Sequence, residues 1–234
     1  MQEPATTDPV ETPLSVPALF PPEMPMRPDP DPHPHPGTRH SARRAFLAAA
    51  LRSPGMVGAV LPSSGSLAEL LAAIVPRTGA PVVVELGPGT GAVTGVIDAR
   101  LPPAARHIAV ELDPRMAGYL RRVHPGLEVV EGDAAKLGTL LTERGVERAD
   151  AVLSGLPWAL FDDPLQRSIL DQVAAVIGAS GAFTTFAYTS GLVLPSARRF
   201  RRVLRETFDE VVVTATVWRN VPPAFAYVCR RPTG

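Results

Sequence analysis

Cysteine is almost absent from this sequence, in which Cys229 is the single example among 234 residues. An intramolecular disulfide is therefore excluded, and such cysteine usage is typical of a reducing compartment. Histidine is also scarce. His33, His35 and His40 lie near the N-terminus without a second group of ligand residues, so we predict no metal site.

Long apolar runs are missing as well. No uninterrupted apolar stretch approaches 18 residues, so no segment is predicted to span a membrane as a helix. The opening residues, MQEPATTDP, have neither the basic start nor the apolar stretch of a signal peptide. We therefore expect a cytoplasmic protein whose contact with any membrane is peripheral.

The first 38 residues are poor in apolar side chains and hold 12 of the 27 prolines. Such a composition does not bury enough surface to offset the entropy of ordering, which predicts a disordered, partly polyproline-like tail over 1–38. The folded domain is then 39–234. Because the tail has six acids and one base, the domain has 22 basic and 17 acidic residues, a net charge of +5. A phospholipid surface or a nucleic acid would suit that charge.

From residue 41 onwards, short apolar runs alternate with helical patterns, and no internal repeat is present. One helix opens with Ser66 and Glu69 at capping-box spacing. The predicted strands are 82–86, 107–111, 127–131, 149–154, 181–188, 210–218 and 224–229, and the helices between the first five cover about 91–101, 114–123, 134–144 and 163–178. This alternation predicts an α/β fold, a doubly wound sheet covered on both faces. The last two strands are joined by the short connection RNVPPA and should pair antiparallel.

The stretch VVVELGPGTGAVT, from Val82 to Thr94, leads from a buried strand through a glycine loop into a helix. Gly87, Gly89 and Gly91 allow the backbone to approach a ligand closely, and the helix directs free N–H groups to the same place. This pattern predicts a nucleotide-type cofactor site. The spacing also fits the dinucleotide fingerprint, so the glycines alone do not identify the cofactor.

Acidic residues follow the next two strands. Glu111 ends the second strand, where a carboxylate accepts both hydroxyls of a ribose in dinucleotide-binding folds. Asp113 precedes a proline, which is typical of a helix N-cap. Asp133 follows a glycine at the next loop along the sheet and is a candidate for the cofactor site or for a helix cap.

With Glu85 and Pro88, the segment ELGPGTG resembles the first motif of the class I S-adenosylmethionine-dependent methyltransferases. That resemblance implies a Rossmann-like, seven-stranded sheet with a terminal antiparallel hairpin and N-terminal helices. It also implies S-adenosyl-L-methionine as the cofactor, with Asp133 against the adenine amine. The predicted cofactor-binding residues are Glu85, Gly87, Gly89, Gly91, Glu111, Asp133, Ala134 and Ser154.

Further blocks resemble the soluble bacterial phospholipid N-methyltransferases, which convert phosphatidylethanolamine to phosphatidylcholine. These blocks are GAVLPSSGSLAELLA, VVEGDAAKL, LSGLPW, TTFAYTSGLVLP and VWRNVPPAFAYVCRR, and with the glycine loop they cover most of residues 42–231. The resemblance implies methylation of phosphatidylethanolamine or a related amino-phospholipid. Within these blocks, Pro157, Arg219 and Asn220 are the predicted substrate-binding residues.

Two alternatives stay open. Ribosomal RNA adenine methyltransferases share the sheet and the amine chemistry, but many amino-methyltransferases have an Asn-Leu-Pro-Tyr motif where this chain has Gly155 to Trp158. A glycine there has no side chain to hold a flipped base, so nucleic acid is the less favoured partner. The second alternative is a non-catalytic, membrane-associated scaffold. No obligate protein partner is indicated.

Two aromatic residues are the predicted catalytic group. The Trp158 ring would hold a cation by its π face, or it is an ordinary core residue. Tyr188 ends the fifth strand and would hold the head group or relay a proton, or it is a core strand residue.

A basic amphipathic helix is predicted within 39–61, where it would dock on anionic lipid or pack on the domain. Five arginines between Arg198 and Arg205 form a second basic group, which would bind lipid phosphate or be a solvated face.

Overall fold

The computed structural model describes residues 65–233, so the predicted tail (1–38) and docking helix (39–61) lie outside the described residues. The strands are β1 (Val82–Leu86), β2 (Arg106–Glu111), β3 (Glu128–Glu131), β4 (Ala151–Ser154), β5 (Ala182–Tyr188), β6 (Phe208–Val213) and β7 (Ala224–Pro232). The α-helices are α1 (Gly65–Leu71), α2 (Thr94–Asp98), α3 (Pro114–Val123), α4 (Leu137–Thr142), α5 (Asp163–Ile177) and α6 (Pro195–Thr207). Within 65–233, no helix combines the length and the apolar character needed to cross a bilayer.

All seven strands form one sheet in the order β3-β2-β1-β4-β5-β7-β6. Strands β1 to β5 are parallel, whereas β7 runs antiparallel to both β5 and β6. The predicted doubly wound sheet with a terminal antiparallel hairpin is confirmed. Leu86 pairs with Val110 on one side and with Ser154 on the other, so the carboxyl ends of the central strands are level. Ligands of open α/β sheets bind beyond that edge.

Successive strand residues alternate between the two faces, and each face is covered by three helices. On one face, α4, α5 and α6 pack over a core that includes Val84, Val152 and Phe183. On the other face, α1 and α2 cover Val83 and Leu153, and α3 covers Ala109. The sheet is therefore buried on both sides, so a ligand reaches it at an edge and not across a face.

Several elements differ in extent from their sequence predictions. The helix predicted over about 91–101 is only Thr94–Asp98, because Gly91 has a φ of +82° and still belongs to the loop. The helix predicted over 134–144 begins as a 3₁₀ turn, Ala134–Lys136. Strand β6 ends at Val213, because at Thr214 only one ladder bond remains: the Thr214 N–H donates to the Ala226 carbonyl at 3.0 Å, but the Ala226 N–H donates to Thr214 Oγ1 at 2.9 Å.

Candidate cofactor and substrate site

The glycine loop after β1 lies at the centre of the carboxyl edge. Gly87, Gly89 and Gly91 all have positive φ, at +65°, +57° and +82°, a conformation that L side chains rarely adopt. The Gly87 N–H donates to the Val110 carbonyl at 2.9 Å, which ties the loop to β2. A Cβ atom built on Gly89 would meet nothing within 4 Å. The backbone therefore passes beside open space at Gly89, as a cofactor-binding loop requires.

Glu111 links the end of β2 to this loop. Its Oε2 accepts a hydrogen bond from the Gly89 N–H at 3.2 Å, and its Oε1 accepts one from the Asp113 N–H at 2.9 Å. The residue is buried, and burial raises the pKa of the carboxyl although these backbone N–H groups oppose the shift. Glu111 thus lies directly beside the open space at Gly89.

Asp133 lies at the end of the neighbouring strand. The Gly132 N–H donates to the Glu111 carbonyl at 2.9 Å, so the segments after β2 and β3 are held together. Asp133 Oδ1 accepts from the Ala135 N–H at 3.0 Å and caps the 3₁₀ turn that begins with the buried Ala134. The capping role is therefore observed, and a contact with adenine stays a prediction.

Glu85 lies behind the loop, at the end of β1. Its buried carboxylate accepts a hydrogen bond from Thr94 Oγ1 at 2.7 Å, which connects the strand to the first turn of α2. This contact gives Glu85 a supporting role for the loop. Its predicted contact with the cofactor stays a prediction.

A buried histidine adjoins Glu85, and sequence reasoning missed it. His107 Nδ1 lies 2.7 Å from Asp98 Oδ1, and Nε2 lies 3.5 Å from Glu85 Oε2, too far for a good hydrogen bond. Burial favours the neutral imidazole, but the two carboxylates outweigh that effect and raise the pKa of His107. Nothing in the pattern around His107 signals this, because Asp98 comes from the end of a separate helix.

The loop after β4 packs against the glycine loop. Ser154 Oγ accepts hydrogen bonds from the Trp158 Nε1–H at 3.1 Å and the Leu156 N–H at 3.3 Å, which shapes the turn. A Cβ atom on Gly155 would lie 2.7 Å from the Gly87 carbonyl oxygen. Only glycine fits at Gly155 with the loops this close. The hydroxyl of Ser154 organises this turn, and its predicted cofactor contact stays a prediction.

Trp158 is buried in the core on the α5 and α6 face, at 3% exposure. Its ring stacks on Phe200 of α6 with centroids 4.6 Å apart, and it contacts Phe161 and Phe183 edge to face. These contacts correct the prediction that Trp158 forms an open wall for a cation, since its ring is engaged by other aromatic residues. Packing accounts for its position.

Tyr188 lies at the end of β5 on the opposite face of the sheet, where it packs beside Phe186 with centroids 5.4 Å apart. The sheet therefore separates Tyr188 from Trp158, and the two do not form one catalytic group. The residue is partly exposed, and burial raises the pKa of its phenol. A neutral hydroxyl is thus available at the carboxyl edge.

The predicted substrate residues occupy two loops at the same edge. Pro157 follows β4 and is partly exposed. Arg219 is exposed in the connection between β6 and β7, whereas Asn220 is buried and donates from Nδ2 to the Pro222 carbonyl at 2.7 Å. Asn220 holds this loop in shape, which argues against direct contact with a substrate.

The comparisons with known proteins agree with this geometry. No protein-family model matches the chain. The ornithine lipid N-methyltransferase of Singulisphaera acidiphila is 38% identical over 188 residues, which cover 79% of this chain and 94% of that protein. The chain belongs to the family of that methyltransferase. It is an S-adenosylmethionine-dependent methyltransferase, as the sequence predicted.

Other members of the wider class match over shorter stretches. The ribosomal RNA small subunit methyltransferase A of Leptothrix cholodnii is 33% identical over 116 residues, which cover 50% of this chain and 41% of that protein. Among solved structures, TrmN from Thermus thermophilus superposes with a TM-score of 0.55 at 17% identity, over 77% of this chain and 52% of that one. Aeropyrum pernix fibrillarin in complex with natively bound S-adenosyl-L-methionine gives a TM-score of 0.51 at 14% identity, over 69% and 74% of the two chains. These structural matches show the class I methyltransferase fold.

The residues of this methyltransferase fit the cofactor. Backbone without side chains borders open space at Gly89, and the carboxylate of Glu111 is held beside it. Asp133 follows β3, the adjacent strand, at the same edge. A ribose needs hydrogen-bond acceptors such as Glu111, and an adenine amine needs one such as Asp133.

Proposed function

We propose that this methyltransferase transfers a methyl group from S-adenosylmethionine to the amine of an amino lipid at a membrane surface. The observation that carries the proposal is the 38% identity that extends over 94% of the ornithine lipid N-methyltransferase. Ornithine lipid and phosphatidylethanolamine both present a primary amine on a lipid. Ornithine lipid is favoured because it is the lipid named for the Singulisphaera acidiphila relative. Phosphatidylethanolamine is favoured by the blocks that resemble the phospholipid N-methyltransferases.

When bound, the cofactor would supply an electrophilic methyl group: the amine nitrogen would form a bond to the methyl carbon as the carbon–sulfur bond breaks, and S-adenosylhomocysteine would leave. Transfer requires a neutral amine, so a proton acceptor must lie near the nitrogen. Water is the final acceptor of that proton, and the Tyr188 phenol, kept neutral because burial raises its pKa, is the group we propose for holding the amine by a hydrogen bond or relaying the proton to water. No covalent enzyme intermediate is needed, so catalysis consists of positioning and exclusion of water.

Gly155 supports a lipid amine over an adenine. At the position that corresponds to Gly155, many amino-methyltransferases have an asparagine, which binds the flipped base. Here the Gly87 carbonyl oxygen lies 2.7 Å from the place of any Cβ atom at Gly155. The loops would have to separate before an asparagine fitted. The ribosomal RNA alternative is therefore the weaker one.

The test is incubation of the full chain with methyl-labelled S-adenosylmethionine and vesicles that contain ornithine lipid, phosphatidylethanolamine or neither. Lipids are then extracted and analysed by mass spectrometry. We expect label in the amino lipid and none in vesicles of phosphatidylcholine alone. Label in added ribosomal RNA, with none in any lipid, would reverse the proposal.

A matched pair of variants separates the proposed role of Tyr188 from packing. Tyr188→Phe keeps the ring and removes the hydroxyl, whereas Phe186→Leu alters its neighbour on the same face. Loss of methylation in Tyr188→Phe, with cofactor affinity unchanged, is the expected result. Equal activity of Tyr188→Phe and the wild type would remove Tyr188 from the mechanism.

A further inference from the structure

Exposed apolar side chains are concentrated at one end of the molecule. Among residues 65–233, nine large apolar or aromatic side chains are exposed, and five of them lie in two short segments. These five, which we call the apolar tip, are Leu192, Val193, Leu194, Trp218 and Val221. Isolated exposed apolar residues are ordinary, but a cluster of them marks an interaction site.

The two segments leave the sheet side by side. Tyr188, the last residue of β5, pairs with Ala224, the first residue of β7. Just beyond that pair, the Thr189 N–H and Oγ1–H both donate to the Pro223 carbonyl, at 2.9 and 3.2 Å. The apolar tip therefore lies at the carboxyl edge of β5, the edge that also holds the cofactor loop.

The outward direction of the tip is built into the fold. The buried Asn220 side chain, bonded to the Pro222 carbonyl, fixes the β6–β7 connection. Its neighbours are left in solvent, with Trp218 at 75% and Val221 at 67% exposure. Val193, in the 3₁₀ turn after β5, is 74% exposed. At these exposures, Trp218, Val221 and Val193 contribute little to the packing of the domain.

Positive charge adjoins the tip in both of its segments. Arg219 is exposed beside Trp218, and α6 begins at Pro195, directly after Leu194. Helix α6 has five arginines and one glutamate. Its exposed arginines have the spacing of one helical face, and they are Arg198, Arg201, Arg202 and Arg205. Arg198 is the one nearest the tip, because α6 runs from Leu194 towards the opposite edge of the sheet, and Arg202 pairs with Asp163 at 3.8 Å and Glu206 at 3.6 Å.

We infer that the apolar tip inserts into the interfacial layer of an anionic phospholipid bilayer, with Arg219 and Arg198, which begins the arginine face of α6 nearest the tip, against the lipid phosphates. Tryptophan and aliphatic side chains favour that layer, and arginine favours its anionic head groups. The inference rests on the proposed function, because a lipid amine must reach a site at this same edge. A protein docked by the apolar tip would be oriented so that lipid head groups reach Tyr188.

Tryptophan fluorescence tests the insertion directly, because the chain has two tryptophans and Trp158 is buried. In the full chain with Trp158→Phe, Trp218 is the only tryptophan, so selective excitation of tryptophan reports on Trp218 alone. We expect a blue shift, and quenching by brominated lipids, on addition of phosphatidylcholine vesicles that contain phosphatidylglycerol. Vesicle-bound protein with unchanged Trp218 emission would overturn the inference, whichever other segment binds the vesicles.

Cosedimentation tests the tip in the otherwise native chain. Val193→Asp should lower the bound fraction about tenfold, since it places a charge in the interface. Val123→Asp is the matched control, because Val123 is an exposed valine on α3 and away from the tip. Equal binding of Val193→Asp and wild type would overturn the inference. So would a dimer in solution, or bound RNA, that is lost in Val193→Asp.

The two proposals fail separately, because vesicle binding is measured without S-adenosylmethionine. If no lipid is methylated but Val193→Asp still lowers binding, the docking surface stands and the proposed function fails. If a lipid amine is methylated equally by Val193→Asp and wild type, with equal binding, the function stands and the docking surface fails.

Discussion

At the scale of single residues, the site requires a glycine at Gly155, because there is no room for a side chain at that position. A Cβ atom there would contact backbone, the Gly87 carbonyl oxygen at 2.7 Å, and backbone of a loop fixed at both ends does not yield easily. The contact joins the loops after β1 and β4. Replacement should therefore displace the cofactor loop.

We expect Gly155→Ala to lower the methylation rate on the order of 100-fold, because a shift of about 1 Å at a reacting centre has that effect. Gly118→Ala in α3 is the matched control, since a Cβ atom there meets nothing within 4 Å. Calorimetry with S-adenosylmethionine and the methylation assay check both variants. Wild-type affinity and rate in Gly155→Ala would contradict the close approach of the two loops.

His107 should make stability depend on pH. Burial opposes its charge, but Asp98 and Glu85 raise its pKa in the folded state above the unfolded value of about 6.5. Its contribution is therefore complete below that unfolded value and is lost as the pH rises through the folded value. His107→Gln should lose about 1–3 kcal/mol of unfolding free energy on the acidic side and less on the alkaline side.

Urea unfolding at several pH values checks this prediction. Asp98→Asn is the matched variant, because it removes the closer carboxylate, at 2.7 Å, and leaves the imidazole in place. It should flatten the same part of the pH profile. A constant difference between His107→Gln and wild type at all pH values would show that folding does not shift the pKa of His107, contrary to this prediction.

At the scale of elements, the strands were predictable because buried parallel strands read as short runs of valine and other β-branched residues. The residues at which the strands end were less predictable. Whether Thr214 extends β6 depends on its side chain bonding to the Ala226 N–H, a contact between residues 12 positions apart. Likewise, the sequence around Trp158 is compatible with a core residue and with a residue that lines a pocket. The position of α6, which packs on Trp158, decides between these two roles.

That position of α6 is itself testable. Phe200 stacks on Trp158, so it fixes the helix to the turn after β4. Phe200→Ala should cost about 3–5 kcal/mol of unfolding free energy, the range for removal of a buried phenylalanine. Phe200→Leu keeps most of the volume and should cost clearly less. Chemical denaturation followed by circular dichroism measures both, and equal losses would argue against the stacked arrangement.

At the scale of the whole molecule, the sheet topology assembles the cofactor site. Parallel strands bring the segments after β1, β2 and β3 to one edge, so Gly89, Glu111 and Asp133 could be grouped from the order of the strands alone. The contact of Glu85 with Thr94 could not, because it depends on how α2 lies across the sheet, and the contact of Glu85 with His107 depends on the register of β1 and β2. Residues that follow the carboxyl ends of the strands are thus easier to predict than the side-chain contacts that hold those residues in place.

Cofactor binding should stabilise the whole domain through this edge. A ligand that binds only the folded state at 100 times its Kd adds about 2.7 kcal/mol to the unfolding free energy. Glu111→Gln should lose most of that gain, because it weakens the acceptor held beside Gly89. Glu131→Gln should keep it, since Glu131 is the exposed acid that pairs with Glu111 on the adjacent strand. Thermal unfolding with and without S-adenosylmethionine measures the gain, and an equal gain in both variants would place the ribose elsewhere.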